Sequence, residues 1–278
     1  MSKPLTRVNT SVMTPTTTTF APVSIPVRFS SDAEVIVARS KVAVILSGCG
    51  VYDGSEITEA VSTAIHLSAN GFEPCFFAPD VNQRHVVNHL TGEVETGVTR
   101  NVLVESARIA RGNVKPLTEF KIDEFEGVVF PGGFGAAKNL SDYAVAQTNM
   151  SMNPHVEEII QSALKAVRPM SFLCISPVIA AKVISNGVNL TVGHDKDDKG
   201  KWPFAGAAEH INLLGGKHTN CDVDEVCVDS EKFISSGPAY MYAKGTPSQI
   251  FDGIGAVMDV FVRHVKEARK LRKGGQTA

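Results

Sequence analysis

Lys41-Val42-Ala43-Val44-Ile45-Leu46-Ser47-Gly48-Cys49-Gly50 decides the reading of the fold. An apolar run rich in Val and Ile that breaks off at Ser-Gly-Cys-Gly is a buried strand, residues 41–47, entering a tight loop. Downstream, Ile57, Ala60, Val61, Ala64, Ile65 and Ser68 recur at helical spacing, and Asn70-Gly71 supplies the stop. Cys75-Phe76-Phe77-Ala78 before Pro79-Asp80 reads as a second strand. Residues 85–99 alternate weakly around Thr91-Gly92, as a hairpin or an irregular insertion would. Gly127-Val128-Val129-Phe130, halted by Pro131-Gly132-Gly133, is a third strand. Asn153-Pro154 offers a cap and a first-turn proline for an amphipathic helix running to Val167. Met170-Ser171-Phe172-Leu173 is a strand, Ile175–Asn186 a helix stopped by Gly187, and Ile250, Ile254, Val257, Met258 and Phe261 mark a last helix. Its basic end, Lys266–Lys273, reads as a solvated terminus complementing the helix dipole. Strand–helix alternation of this kind predicts one parallel sheet with helices on both faces, an α/β sandwich.

The composition narrows the function classes. The chain has 278 residues, 43% hydrophobic and 20% charged, with a formal charge of −2. No basic excess marks a nucleic-acid binder. No apolar run approaches the roughly 18–20 residues of a membrane span. Five cysteines, Cys49, Cys75, Cys174, Cys221 and Cys227, are an odd number without C-x-x-C spacing, which fits a reducing compartment rather than a disulfide scaffold. No zinc-ligand spacing occurs. His85 and His89 lie four apart but lack an acidic third ligand, so a solvated face explains them.

Residues 1–31 carry Lys3, Arg7 and Arg28, no acid, four prolines and Thr16-Thr17-Thr18-Thr19. Without an apolar core they are no secretory signal; basic, hydroxyl-rich, acid-free composition matches a mitochondrial transit peptide, with Arg28-Phe29-Ser30-Ser31 as a processing site. Residues 1–40 are therefore read as a disordered N-terminal extension and transit peptide, and residues 41–278 as a single domain. A disordered cytosolic tail is the alternative.

Ligands of an open parallel sheet bind beyond the carboxyl ends of its strands. Three strand ends here carry unusual loops: Gly48 to Glu56, Pro131 to Ala136, and Cys174-Ile175-Ser176-Pro177. Cys174, at a strand-to-helix turn, would sit near unpaired N–H groups and the positive end of a helix dipole, both of which favour thiolate. A buried packing cysteine is the equal alternative. Glu56 is either a first-turn capping carboxylate or a proton acceptor beside Cys174. Gly132 and Gly133, with Ile175, could present N–H groups to an oxyanion. Cys49, Gly50, Tyr52 and Asp53 would line the cleft. His194, His210 and His218 read as structural histidines.

The stretches Ser47–Glu56, Pro131-Gly132-Gly133-Phe134-Gly135-Ala136-Ala137-Lys138-Asn139-Leu140 and Cys174-Ile175-Ser176-Pro177 resemble the ElbB-like branch of the PfpI superfamily, the class I glutamine-amidotransferase-like proteins. So do Gly206-Ala207-Ala208-Glu209-His210, Thr219-Asn220-Cys221 and Gly237–Met241. The resemblance runs from about Lys41 to Val265. It implies a flavodoxin-like sandwich, commonly a homodimer, with Cys174 as elbow nucleophile and Glu56 as its carboxylate neighbour. It also implies action on reactive 2-oxoaldehydes, of the glyoxalase or deglycase kind, without cofactor, glutathione or metal. Many members place His directly after the nucleophile. Ile175 stands there in this chain, and an apolar side chain relays no proton, which counts against amidotransferase and peptidase chemistry. The competing expectation is a non-catalytic or weakly catalytic redox-responsive mitochondrial protein that retains the scaffold.

Overall fold

The computed structural model describes residues 39–274. The transit-peptide reading of residues 1–31 falls on residues outside it. In chain order the strands and helices are β1 (Ser40–Ile45), α1 (Ile57–Ala69), β2 (Phe72–Ala78), α2 (Val102–Ile109), β3 (Val114–Pro116), β4 (Val128–Phe130), α3 (Phe134–Lys138) and α4 (Tyr143–Ala146). They continue with α5 (Pro154–Lys165), β5 (Met170–Leu173), α6 (Pro177–Ile184), β6 (Asn189–Leu190), α7 (Gly206–Leu213), β7 (Lys217–His218), β8 (Cys227–Asp229), β9 (Ile234–Gly237) and α8 (Pro247–Gly274).

Seven strands form one sheet in the order β3-β2-β1-β4-β5-β9-β8, all parallel except β8, which runs antiparallel to β9. β6 and β7 pair separately. This is the flavodoxin-like sandwich expected. The central strands read as apolar runs because both faces are covered: Val42 to Leu46, Val128 to Phe130 and Met170 to Leu173, except Ser171, are buried hydrophobics, and Phe130 stacks on Phe172 at 4.8 Å. Capping follows the sequence. Asn153 accepts the His155 N–H with Pro154 in the first turn of α5, and Asn70 closes α1 before the left-handed Gly71. Residues 85–99 hold a single antiparallel bridge, Val87 to Val94.

Two sequence readings are corrected, and three strands lie where no strand was read. β3, β8 and β9 carry little apolar signal; β9 is Ile-Ser-Ser-Gly, and its hydroxyls are paired in the interior, Ser235 with Ser171 at 2.6 Å and Ser236 with the Thr191 N–H at 2.9 Å. On α1, Ile57, Val61 and Ile65 are 48%, 40% and 49% exposed, while Glu59, Ala60, Ser62, Thr63 and Leu67 are buried. The helix is rotated away from the face that apolar spacing alone selects. The basic end of α8 is not merely solvated. Arg269 and Arg272 close on Glu126 together with Arg168, at 2.8–3.3 Å, and Arg269 also donates to Ser40 Oγ. Burial alone would raise the Glu126 pKa, but the three guanidiniums, Arg269 foremost, hold it below the ordinary carboxyl range.

Candidate active site

The carboxyl ends of β1, β4, β5 and β9 bring the three unusual loops together. Cys174 follows β5 directly and adopts a left-handed backbone, φ 59°, a conformation sparsely populated by non-glycine residues that persists only where surroundings enforce it. Here they do. Its N–H donates to Gly237 O at the end of β9, and two residues on Ser176 Oγ donates to Pro131 O at 2.7 Å. The elbow is thus pinned to both neighbouring strands, and α6 starts at Pro177, two residues later than the sequence reading.

Backbone constraint recurs around it. Gly133 has φ 92°, and a Cβ there would collide with Glu56 N and Gly54 O; a Cβ on Gly132 would collide with Cys174 Cβ. Only glycine lets the β4–α3 loop lie this close to both the thiol and the start of α1. The Glu56 N–H closes the contact by donating to Gly132 O at 3.0 Å.

The carboxyl that the structure sets beside Cys174 is Glu59, in place of the expected Glu56: a Cβ on Gly132 would meet both Cys174 Cβ and Glu59 Oε2. Glu59 is fully buried on the first turn of α1. Its Oε2 accepts the Gly132 N–H at 2.8 Å and its Oε1 the Tyr240 N–H at 3.2 Å. Tyr240 is delivered by Ala239, itself left-handed at φ 46°. Glu56 instead caps α1: its Oε2 accepts the Glu59 N–H at 2.7 Å. A carboxyl standing on the buried face of a helix was the available signal for Glu59, but it requires the true rotation of α1.

The titration of this group differs from the expected thiolate. Burial, then the charge of Glu56, pushes Glu59 up to about 8. Burial, then Glu59, pushes the Cys174 thiol well above its ordinary value, against the opposing pull of the Gly133 and Ile175 N–H groups at the sulfur. Two neighbouring buried acids cannot both ionise readily. Gly133 and Ile175 therefore direct N–H groups at the sulfur, whereas the Gly132 N–H is taken by Glu59. The arrangement can hold a thiol, a carboxyl that exchanges protons near neutral pH and two backbone donors around one atom.

The remaining cleft residues have identifiable work. Asp53 is buried; its Oδ2 accepts the Val87 N–H at 2.7 Å, and its carbonyl accepts from Asn139 Nδ2 at 2.9 Å. It fastens the 83–89 segment rather than facing outward. Tyr52 is exposed, stacks near His89 and gives its carbonyl to Lys138 Nζ at 2.8 Å. Gly50, left-handed at φ 125°, passes under the His89 ring. Cys49 is half-buried, and its thiol is raised by burial and by Glu105. His89 accepts the Tyr52 N–H at Nε2. His194 pairs with Asp222, His210 with Tyr143 and His218 with the Val192 N–H.

No protein-family model matches the chain. It is 47% identical over 220 residues to the rat ES1 protein homolog, mitochondrial, covering 79% of this chain and 82% of the relative. It is also 47% identical over 219 residues to the human mitochondrial glutamine amidotransferase-like class 1 domain-containing protein 3, covering 79% and 81%. Among solved structures it resembles an isoprenoid biosynthesis protein with amidotransferase-like domain from Ehrlichia chaffeensis, with a TM-score of 0.73 and 33% identity over 81% of this chain and 99% of that one. Both mammalian relatives are mitochondrial, the location read from the acid-free leader. The elbow, its glycine loops and this likeness across four-fifths of the sequence together establish that the chain belongs to the mitochondrial ES1 family of glutamine amidotransferase-like class 1 domain proteins.

Proposed function

We propose that the protein converts 2-oxoaldehydes to 2-hydroxy acids without a cofactor, using Cys174 as nucleophile and Glu59 as the proton carrier. The observation that carries this reading is a buried carboxyl, raised to about 8, standing with the buried Cys174 thiol against Gly132. A proton carrier works best when its pKa lies near the operating pH. At neutral pH Glu59 is then mainly protonated, with an ionised minority able to accept a proton.

In that ionised form the thiol proton passes to Glu59 as sulfur adds to the aldehyde carbon. Glu59 then returns the proton to the alkoxide, giving a hemithioacetal. The carboxylate next removes the proton on that carbon, whose electrons shift toward the adjacent carbonyl and form an enediol. Glu59 delivers the proton to the second carbon, and loss of the first carbon's hydroxyl proton to the second oxygen leaves a thioester. Water cleaves the thioester, releasing the 2-hydroxy acid and the thiol. The Gly133 and Ile175 N–H groups stabilise oxygen charge formed beside the sulfur. Methylglyoxal turnover by the purified protein, abolished in Cys174→Ala, is the test; a wild-type protein that leaves methylglyoxal unconsumed overturns it.

The redox-responsive alternative needs a thiolate at rest. Burial that raises Cys174 disfavours it, since oxidation follows thiolate character and exposure.

Two further expectations belong with this reading. Residues 1–31 serve as the import signal, so protein from mitochondria should begin near Ser30 or Ser31 by terminal sequencing, and an intact Ser2 refutes that. The protein also works as a homodimer through α1. Ile57, Val61 and Ile65 form an exposed i, i+4, i+8 ridge beside an apolar groove of about 370 Å³ lined by Val61, Ala64, Ile65, Phe76 and Ile109. Apart from buried Glu59, α1 carries no carboxylate, lysine or arginine. A two-fold interface sets a patch against its own copy, where any charge meets its like. A charge-free ridge of stiff, β-branched side chains meets that condition at small entropic cost.

A further inference from the structure

Three acidic side chains converge at the start of α1 with no cation among them. Glu59 contacts the Cys174 thiol, the Gly132 N–H and the Tyr240 N–H, and Glu56 stands one turn before it on the same helix. Among the described residues, neither carboxyl forms an ion pair. These groups come from every element packed on the site: the β4–α3 loop, the β5–α6 elbow, the turn after β9 and α1 itself. Such a cluster has to distribute few negative charges over three acids, and the distribution follows the hydrogen-bond donors each one faces.

The two carboxyls are not equivalent. Burial raises Glu56 too, but it is only partly buried and is opposed by the N–H groups of Ile57, Thr58 and Glu59 together with the Thr58 hydroxyl. Those donors point at the free end of a helix, where its dipole favours an anion. Glu59 is fully buried and has two backbone donors, one on each oxygen. The first negative charge of the cluster therefore settles on Glu56.

We infer that Glu56 is a positioning residue: the carboxylate that caps α1 keeps a proton on the Glu59–Cys174 pair. It touches neither the sulfur nor the reacting carbon. Its charge opposes a second charge one helical turn away, in line with Glu56 standing second only to burial among the causes that raise Glu59. The cap and the proton control are thus one feature, because the bond that fixes the Glu56 carboxylate runs to the backbone of Glu59 itself.

This inference concerns the protons of the pair proposed above to be catalytic, but its readout needs no turnover. Iodoacetamide alkylation at Cys174, followed by mass spectrometry against pH, reports when the pair loses its first proton. Glu56→Gln and Glu56→Ser remove the charge, and serine retains a side chain that caps helices well. In both, the midpoint of the alkylation profile should move to lower pH by about half a unit or more, about threefold in proton concentration. Glu56→Asp, which keeps charge and cap, should leave the midpoint near that of the wild type. Melting curves identify any variant that has lost its fold, and Glu56→Ser guards against that outcome. A midpoint unmoved or displaced to higher pH in folded Glu56→Gln and Glu56→Ser overturns the inference and leaves Glu56 as a cap alone. A wild type that leaves methylglyoxal unconsumed, with the midpoint shift intact, would instead count against the aldehyde reading alone.

Discussion

Two glutamates at opposite ends of the same strand have opposite fates. Glu126 lies just before β4, at the amino edge of the sheet, and is gripped by Arg168, Arg269 and Arg272. Glu59 lies against Gly132, just after β4, and has no cation at all. The first is held below the ordinary carboxyl range, and the second is raised to about 8. Around Glu126 the protein has supplied partners for a partly buried charge, which is how a carboxylate contributes stability. Around Glu59 it has withheld them, which stabilises nothing but leaves a proton available near neutral pH. One edge holds the fold and the other is kept reactive at its expense.

Glu59→Gln tests the sharper half of this contrast. Glutamine preserves the size but keeps only one of the two acceptor contacts, because its NH2 faces the Gly132 or the Tyr240 N–H, and it carries no proton between carbons. Turnover of methylglyoxal should fall by at least about 100-fold, the usual scale for removing a general acid–base group. Stability should change with pH. A carboxyl whose folded pKa lies above its unfolded value binds its proton more tightly when folded, so its contribution is complete at acid pH and is lost as pH rises toward 8. The lost acceptor contact lowers Glu59→Gln by a pH-independent amount, so the melting difference should shift in favour of Glu59→Gln as pH rises from 5 to 9. A melting difference that stays constant or shifts toward the wild type between pH 5 and pH 9 would break the contrast.

Glu126→Gln probes the opposite edge. It leaves three guanidiniums facing a neutral amide, so it should cost about 2 kcal/mol at pH 7, several degrees in melting temperature, with turnover essentially unchanged. The sign with pH is reversed. A depressed folded pKa contributes stability above the ordinary carboxyl value and loses it as pH falls through the folded one. The gap between wild type and Glu126→Gln should therefore narrow below about pH 4.5. A gap that widens in acid would remove Glu126 from the comparison.

The smallest expected effect on the fold, though not on assembly, comes from α1. Val61→Lys places a charge on the exposed ridge and should leave the melting point of the isolated chain within about 0.5 kcal/mol of the wild type in free-energy terms. Light scattering should nevertheless show the dimer dissociating. An equal mixture of Val61→Lys and Val61→Glu should reassociate if Val61 faces its own copy. A wild type that is monomeric throughout, or a Val61→Lys dimer, refutes the α1 interface.

The parallel sandwich and the Cys174 elbow were legible because both rest on local signals: short buried runs ending in glycine loops, and a thiol placed where a strand meets a helix. Glu59 was not. Periodicity assigns charged residues to solvent, and the Ile57–Val61–Ile65 ridge imitates a core face, so nothing local singled out the carboxyl on the buried side of α1. The capping position of Glu56 was legible for the same local reason that it attracted the catalytic reading. β9 escaped because its interior serines satisfy one another across strands, a pairing visible only after folding. The role of the basic end of α8 depended on Glu126, 146 residues before Arg272.

That separation also fixes an order of assembly. The bond from Arg269 to Ser40 spans 229 residues, joining the first residue of the sheet to nearly the last turn of the chain. Whether the polypeptide leaves a ribosome or enters an organelle amino end first, β1 must wait for α8 before this bond can form. Contacts of such long range close late and slow the search for the native state. Those that form after the barrier mainly retard unfolding. The arginines of the last helix are in this sense a latch, set once the remainder is in place, whose main effect is on how long the finished molecule lasts.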